Sequence, residues 1–189
     1  YPEDPVALLE DICGVVEGII ANITPEQMDL PTVNDEWNVR ELIDHLVRGN
    51  LWAAQSLETA GAPRPTEDVI GDQSPMQAFS ESADTMIKAL RAPGALGTVV
   101  TMPFGEMPGA GLAMFRFGDL TGHAWDLAQA TGQDTNIAPE LSEQALAMAR
   151  ALFSDRDRTQ TPFKEPVTVS EYAHVADRLA GFLGKPVSA

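Results

Sequence analysis

The sequence has few basic residues, one cysteine and no long apolar run, and each of these features argues against a class of protein. Lys and Arg total 12 against 28 Asp and Glu, which gives a formal net charge of −16. This charge repels phosphate backbones and anionic lipid surfaces, so it argues against nucleic-acid and membrane partners. No apolar run approaches the roughly 20 residues that a membrane span requires. The sequence also lacks a phosphate-cradling glycine loop and a nucleophile elbow.

Cysteine is almost absent from the chain. Cys13 is the one cysteine, so no internal disulfide can form. It lies within an apolar stripe at helical spacing, and a thiol buried in such surroundings is inert. With no secretory signal at the start of the sequence, the single thiol favours a cytoplasmic protein. Any sulfur nucleophile must therefore come from outside the chain.

Hydrophobic residues make up 44% of the chain, and the apolar residues recur mostly at helical spacing. Asp4 is the predicted N-cap of a first helix through Asn22, and Asn38 begins a second helix that runs to about Thr59. We predict one mainly α domain over residues 1–189, a helical bundle with minor extended segments. The other predicted elements are a helix from Ser74 to about Pro93, short extended segments joined by a turn within 97–111, a long helix from about Gly111 to Thr131, a helix from Pro139 to about Phe153, an irregular crossing over 155–169 with an extended piece at 166–169, and a last helix from Ser170 to Gly184.

Two of the three histidines belong to a pattern that could hold a metal ion. Asp119 and His123 lie four residues apart on the long helix, so their side chains project from one face. His45, beside the apolar stripe of the second helix, is the candidate third ligand, because a bundle-core site takes its donors from facing helices. Two imidazoles and a carboxylate with open positions form a catalytic type of site that suits Zn²⁺, and also Fe²⁺, Ni²⁺ or Mn²⁺.

The same residues allow a plainer interpretation. An Asp–His pair at this spacing is often a surface hydrogen bond, and a histidine beside an apolar stripe is often a satisfied core residue. Spacing alone does not show that the two helices meet. His174 is a rival ligand, but its surroundings predict a solvated surface residue.

Charged neighbours of the helical pair each have two possible roles. Arg116, three residues before Asp119, either holds a substrate carboxylate or forms an i, i+3 ion pair with Asp119. Asp126, three residues after His123, either accepts the second ring N–H of a ligand histidine or is a solvated helix charge.

Near the second helix the alternatives are similar. Glu41, four residues before His45, is either an additional ligand or the partner of Asn38 in a capping box. The large aromatic residues are most simply core or pocket-wall residues. These are Trp37, Trp52 and Trp125.

Several segments of the chain resemble a known family. Residues 37–47 look like the first metal-ligand helix of the DinB-like and mycothiol-dependent maleylpyruvate isomerase superfamily, and residues 119–128 look like its second ligand helix. The likeness runs in order over nearly the whole chain. More narrowly, residues 103–109, 125–132 and 177–184 resemble an actinobacterial subfamily of metal-binding proteins.

The resemblance implies a mainly α, DinB-like four-helix bundle with short extended segments and additional C-terminal helices. It also implies a metal ion held by His45, Asp119 and His123. At the position of Asp119 the isomerases often have Glu and other members have His, so this chain has the shorter carboxylate side chain there. The full isomerases carry a further C-terminal α/β domain, for which 189 residues leave no room. The expected absence of that domain argues against maleylpyruvate isomerase activity itself.

The chemistry that the resemblance implies uses a small-molecule thiol, mycothiol, in a transferase or isomerase reaction of small electrophiles. The nucleophile is a metal-bound thiolate or water rather than a protein side chain, because metal binding lowers the pKa of the thiol. Arg116 would orient an anionic substrate, and Trp52 or Trp125 would wall the pocket. The alternatives are a metal-dependent hydrolase, a non-catalytic metal-binding or small-molecule-binding protein, and a plain helical homodimer with an eroded site.

Overall fold

The computed structural model describes residues 1–102, 105–161 and 163–187. Its first four helices pack against one another as a bundle, and the last two pack on each other and on the fourth. The predicted mainly α bundle with additional C-terminal helices is confirmed. In chain order the elements are α1 (Pro5–Ala21), α2 (Val39–Glu58), α3 (Pro75–Arg91), β1 (Val99–Met102), β2 (Gly105–Pro108), α4 (Gly109–Thr131), α5 (Pro139–Phe153) and α6 (Val175–Phe182).

The helix ends follow local sequence signals. The Asp4 carboxylate accepts hydrogen bonds from the backbone N–H groups of Val6 and Ala7, both at 3.0 Å, so the predicted first N-cap is confirmed. Asn38 caps α2 in the same way. At the end of α4, Gly132 has a φ of +68°, the left-handed conformation that favours glycine as a helix terminator.

Helix α4 begins two residues earlier than predicted, at Gly109 instead of Gly111. Strands β1 and β2 form an antiparallel hairpin, and the Gly109 N–H donates to the Thr98 carbonyl at 2.8 Å. This hydrogen bond holds the first residue of the helix against the hairpin, so α4 follows β2 without a loop. The sequence predicts a turn within 97–111, and positions 103 and 104, between the two strands, lie outside the described residues.

The predicted start of the last helix at Ser170 is wrong, because α6 begins at Val175. Ser170 closes a turn instead: its hydroxyl accepts from the Tyr172 N–H at 3.2 Å and its carbonyl from the Ala173 N–H at 3.1 Å. Segment 166–169, predicted as extended, belongs to no strand in the described part of the chain.

One hydrophobic core draws buried side chains from all six of these helices. Among the described residues, no helix is both long enough and apolar enough to cross a membrane.

Gly49 of α2 lies against the Arg116 side chain of α4. Arg116 of α4 is 1% exposed, and its guanidinium donates to the Leu46 carbonyl at 3.2 Å and to the Asn50 side-chain oxygen at 2.8 Å, both on α2. A Cβ atom at position 49 would overlap that guanidinium. Glycine at this position therefore makes the space that Arg116 occupies.

We expect Gly49→Ala to destabilise the protein by about 1–3 kcal/mol, because the added methyl group displaces Arg116 from its two acceptors on α2. Chemical denaturation measures this free energy. Gly14→Ala in α1 is the control, since a Cβ there meets no atom within 4 Å. That change should be neutral or stabilising by up to about 1 kcal/mol. Equal effects of the two substitutions would contradict the crowding at Gly49.

Candidate metal centre

The side chains of His45, Asp119 and His123 come together between α2 and α4. Their candidate ligand atoms all lie within 4.8 Å of one another. The two histidine rings are 5.1 Å apart between centroids, with an interplanar angle of 72°. Residue spacing could not show that α2 and α4 meet, and the structure brings their candidate ligands together.

His123 is held in one orientation by the carboxylate of Asp126. The distance from His123 Nδ1 to Asp126 Oδ2 is 2.8 Å, so we assign the ring proton to Nδ1 and leave the Nε2 lone pair for the site. His123 Nε2 lies 3.6 Å from Asp119 Oδ1. A tetrahedral ion with bonds of about 2.1 Å separates neighbouring donor atoms by roughly 3.4 Å. The spacing of these two atoms therefore fits a metal ion.

Asp119 uses one of its oxygens for an ion pair and keeps the other for the site. Its Oδ2 accepts a hydrogen bond from Arg116 Nη1, and its Oδ1 faces His123. Burial by itself would raise the pKa of Asp119, but its surroundings, with the charge of Arg116 as the largest favourable contribution, lower it to about 2. The carboxylate is ionised and fixed, and its geometry suits a ligand that binds through one oxygen.

This geometry places Arg116 behind Asp119, inside the protein. Of the two roles that the sequence left open, the ion pair with Asp119 is the one that the structure contains. Arg116 is therefore situated to position the carboxylate.

His45 is 9% exposed and lies against the indole of Trp37, with ring centroids 4.1 Å apart. Burial lowers the pKa of His45 to about 3, although the charge of Asp119 opposes the shift. The imidazole is therefore neutral near pH 7, and neutral imidazole is the form that binds a metal ion.

Asp126 is fully buried and accepts hydrogen bonds from three elements of the chain. Besides His123, its oxygens accept from Lys185 Nζ at 2.7 and 2.8 Å and from Asn34 Nδ2 at 2.9 Å. Burial would raise the pKa of Asp126, but Lys185 and His123 hold it well below its usual range. The alternative of a solvated helix charge is thus wrong for Asp126, because the carboxylate has no contact with solvent.

Sequence analysis did not find Lys185 or Asn34. Neither residue stands at a regular spacing from His123, and both reach Asp126 through segments outside the helices. A basic residue shortly after the last helix is common in proteins, so no local signal distinguishes Lys185.

The other candidate residues lie apart from this cluster. Glu41 is exposed, and its carboxylate accepts from the Asn38 N–H at 2.9 Å, which is the capping-box alternative. The Trp125 indole N–H donates to Asp177 at 2.7 Å, on the side of α4 that faces α6. His174 is exposed at the start of α6, in agreement with the prediction of a surface residue.

Trp52 borders a cavity beside the cluster. Its indole N–H donates to the Ala62 carbonyl at 2.8 Å, so the ring is fixed against the loop that follows α2. Arg64 of that loop also borders the cavity and lies 3.3 Å from His45 Nε2 through its Nη2 atom. Sequence analysis did not single out Arg64, which stands in a proline-containing loop without a motif.

Cys13 is 5% exposed, and burial raises the pKa of its thiol to about 12. We expect the folded protein to react with less than about 0.1 equivalent of the thiol reagent DTNB near pH 8, because the thiolate is both scarce and inaccessible. The unfolded protein in guanidinium chloride should react with about one equivalent. Absorbance measures the reaction. Rapid labelling of the folded protein would contradict the assignment of Cys13 as structural.

Two imidazoles and a carboxylate on facing helices place this protein in the class of helical bundles with a candidate metal centre. The chain belongs to the mycothiol maleylpyruvate isomerase N-terminal domain family, whose model matches residues 9–128. It is 33% identical to uncharacterized proteins from two strains of Mycobacterium tuberculosis, CDC 1551 / Oshkosh and ATCC 25618 / H37Rv, over 97% of this chain and 99% of each relative.

The fold is also similar to a solved structure. The crystal structure of a histidine-to-alanine mutant of mycothiol-dependent maleylpyruvate isomerase matches with a TM-score of 0.61 and 14% identity, covering 78% of this chain and 68% of that chain. At this identity the likeness shows the fold. Together the family match and the fold confirm the resemblance that the two ligand helices indicated.

Proposed function

We propose that the protein binds a divalent metal ion through His45, Asp119 and His123 and uses mycothiol to transfer or isomerise small electrophiles. The observation that carries the proposal is the convergence of these three side chains, with His123 fixed by Asp126, in a member of this family. Zn²⁺ is the first choice for two imidazoles and a carboxylate, and Ni²⁺, Fe²⁺ and Mn²⁺ are the alternatives.

When bound, the metal would supply the positive charge that lowers the pKa of a neighbouring thiol, so that thiolate is present at neutral pH. Neighbouring residues of the chain would hold the metal ligands in place. Arg116 and Asp126 fix the two ligands of α4, and Trp37 shields one face of the ligand on α2. Cys13 is buried in the core, which favours an external source for the sulfur.

Two other functions would use the same ligands. Hydrolysis of a small substrate needs only water at the metal, and a non-catalytic binding protein needs no reaction at all. Family membership favours the thiol-dependent reaction over both. The cytoplasmic location and the homodimer stay predictions.

Metal analysis tests the first part of the proposal. Protein purified without chelators should contain about one equivalent of metal, or take up about one equivalent of Zn²⁺ or Ni²⁺. Less than about a tenth of an equivalent with no uptake of either ion would contradict a metal site.

Turnover assays test the second part. We expect metal-loaded protein to convert members of a panel of small electrophiles only when mycothiol is added, and His45→Ala to lose this activity. His174→Ala, a change of the exposed histidine, should keep it. Equal rates for wild type and His45→Ala would contradict the proposal. Turnover without mycothiol would favour the hydrolase, and ligand affinity without turnover would favour the binding protein.

A further inference from the structure

A cavity of about 380 Å³, within the size range of small-molecule sites, is lined in part by Arg64, which contacts the candidate ligand His45. Trp52 lies seven residues after His45, hence two turns along the same face of α2. Phe115 lies four residues before Asp119, hence one turn away on the same face of α4. The cavity is lined by Trp52 and Phe115 together with Thr101 and Met102 of β1 and the loop over 61–64.

Arg64 links this cavity to the metal ligands. Its Nη2 atom lies 3.3 Å from His45 Nε2 and 3.4 Å from the His45 carbonyl oxygen. Its guanidinium carbon lies 5.6 Å from the centroid of the Trp52 ring. A ligand in the cavity would therefore meet the guanidinium on the side nearest the metal centre.

The guanidinium of Arg64 has no carboxylate within 4.0 Å in the described part of the chain. Two neighbouring arginines do have a carboxylate partner: Arg48 pairs with Asp44, and Arg116 pairs with Asp119. Arg64 is half-buried, so its guanidinium is partly removed from water. The charge of Asp119 acts on Arg64 through space, but that carboxylate is paired with Arg116. A partly desolvated cation without a directly paired carboxylate gains free energy when an anion binds to it.

The loop that carries Arg64 is fastened to α2 next to the metal ligand. The Asp44 carboxylate accepts from the N–H groups of Val69 and Ile70 at 2.8 and 3.1 Å. Arg48 donates to the carbonyl of Thr66 at 3.3 Å. These contacts hold the loop in place before any ligand arrives, which reduces the entropy cost of binding.

We propose that this cavity binds a small organic anion, a carboxylate on a flat or apolar body, and that Arg64 is the residue that selects it. The guanidinium would donate to the carboxylate, and the body would lie against Trp52 and Phe115. Where this ligand is the electrophile of the reaction, the inference rests on the proposed function and names its substrate class. The anion-binding role predicted for Arg116 thereby moves to Arg64.

The test compares benzoate with benzamide, which have the same shape and differ in charge. Both are titrated into metal-loaded full-length protein and followed by NMR. Wild type should bind benzoate about tenfold more tightly than benzamide, because charge-assisted hydrogen bonds are the stronger ones. Arg64→Gln should remove this preference, and Arg64→Lys should retain part of it as a point charge. The control Arg91→Gln changes an exposed arginine that pairs with Asp4 and Glu10 and should leave the preference unchanged.

Equal binding of the two probes by wild type, or an undiminished preference in Arg64→Gln, would overturn the inference. A preference that survives in Arg64→Gln and disappears after metal removal would place the carboxylate on the metal and would also overturn it. The metal content of the same samples separates this inference from the proposed function. Arg64-dependent binding of benzoate to protein that takes up no metal would support the cavity and contradict the metal site.

Discussion

Replacing His45 with alanine is expected to weaken Zn²⁺ binding by more than about 100-fold. The substitution removes the ligand that α2 contributes to the cluster and leaves Asp119 and His123 on a single helix. Losing a hydrogen-bond partner of a ligand already costs about 10–100-fold in affinity, so losing a ligand should cost more. Competition with a chromophoric chelator measures the affinity.

The matched control for this prediction is His174→Ala. His174 is exposed at the start of α6 and lies outside the cluster, so its removal should leave Zn²⁺ affinity unchanged. Thermal melting of the metal-free proteins shows whether His45→Ala still folds. An affinity that stays within about threefold of wild type in a folded His45→Ala protein would remove His45 from the ligand set.

Replacing Asp126 with asparagine is expected to reduce both stability and metal affinity. The change removes the charge that pairs with Lys185, and breaking a buried ion pair from one side costs about 3–5 kcal/mol. Lys185 retains some solvent contact, with 14% of its side chain exposed, so we expect the lower end of that range. His123 also loses a carboxylate partner, which should weaken Zn²⁺ binding by about 10–100-fold.

Denaturant unfolding and chelator competition give the two values for Asp126→Asn. Asp84→Asn on α3 is the control, because Asp84 is exposed and its change should remain within about 0.5 kcal/mol of wild type. Wild-type metal affinity in a destabilised Asp126→Asn protein would show that the hydrogen bond to His123 serves the fold and not the metal site.

The sequence was sufficient to predict those parts of the site that lie within one helix. Asp119 and His123 share a face because four residues make about one helical turn. Asp126 reaches His123 for the same reason, at a spacing of three. Spacing left His45 as a candidate third ligand without showing that its helix meets α4. Family resemblance tied the two helices together, and the structure brings His45 within reach of the pair.

Residues without a periodic relation to the site could not be predicted. Lys185 and Arg64 reach the site through irregular segments whose path depends on the packing of the whole chain. The same limit applies to the start of α6. Ser170 has the residue type of an N-cap, but its side chain and carbonyl close a turn, and the helix begins only after His174.

Trp37 gives the cluster an intrinsic optical probe. Its indole lies 4.1 Å from the His45 ring and 6.0 Å from the His123 ring, whereas the indole N–H groups of Trp52 and Trp125 are bonded elsewhere. A cation bound to the two imidazoles changes the electronic surroundings of Trp37 more than those of the other two. The ultraviolet emission of unlabelled protein therefore follows the loading of the site, and Trp37→Phe should remove that signal while the ligands stay in place.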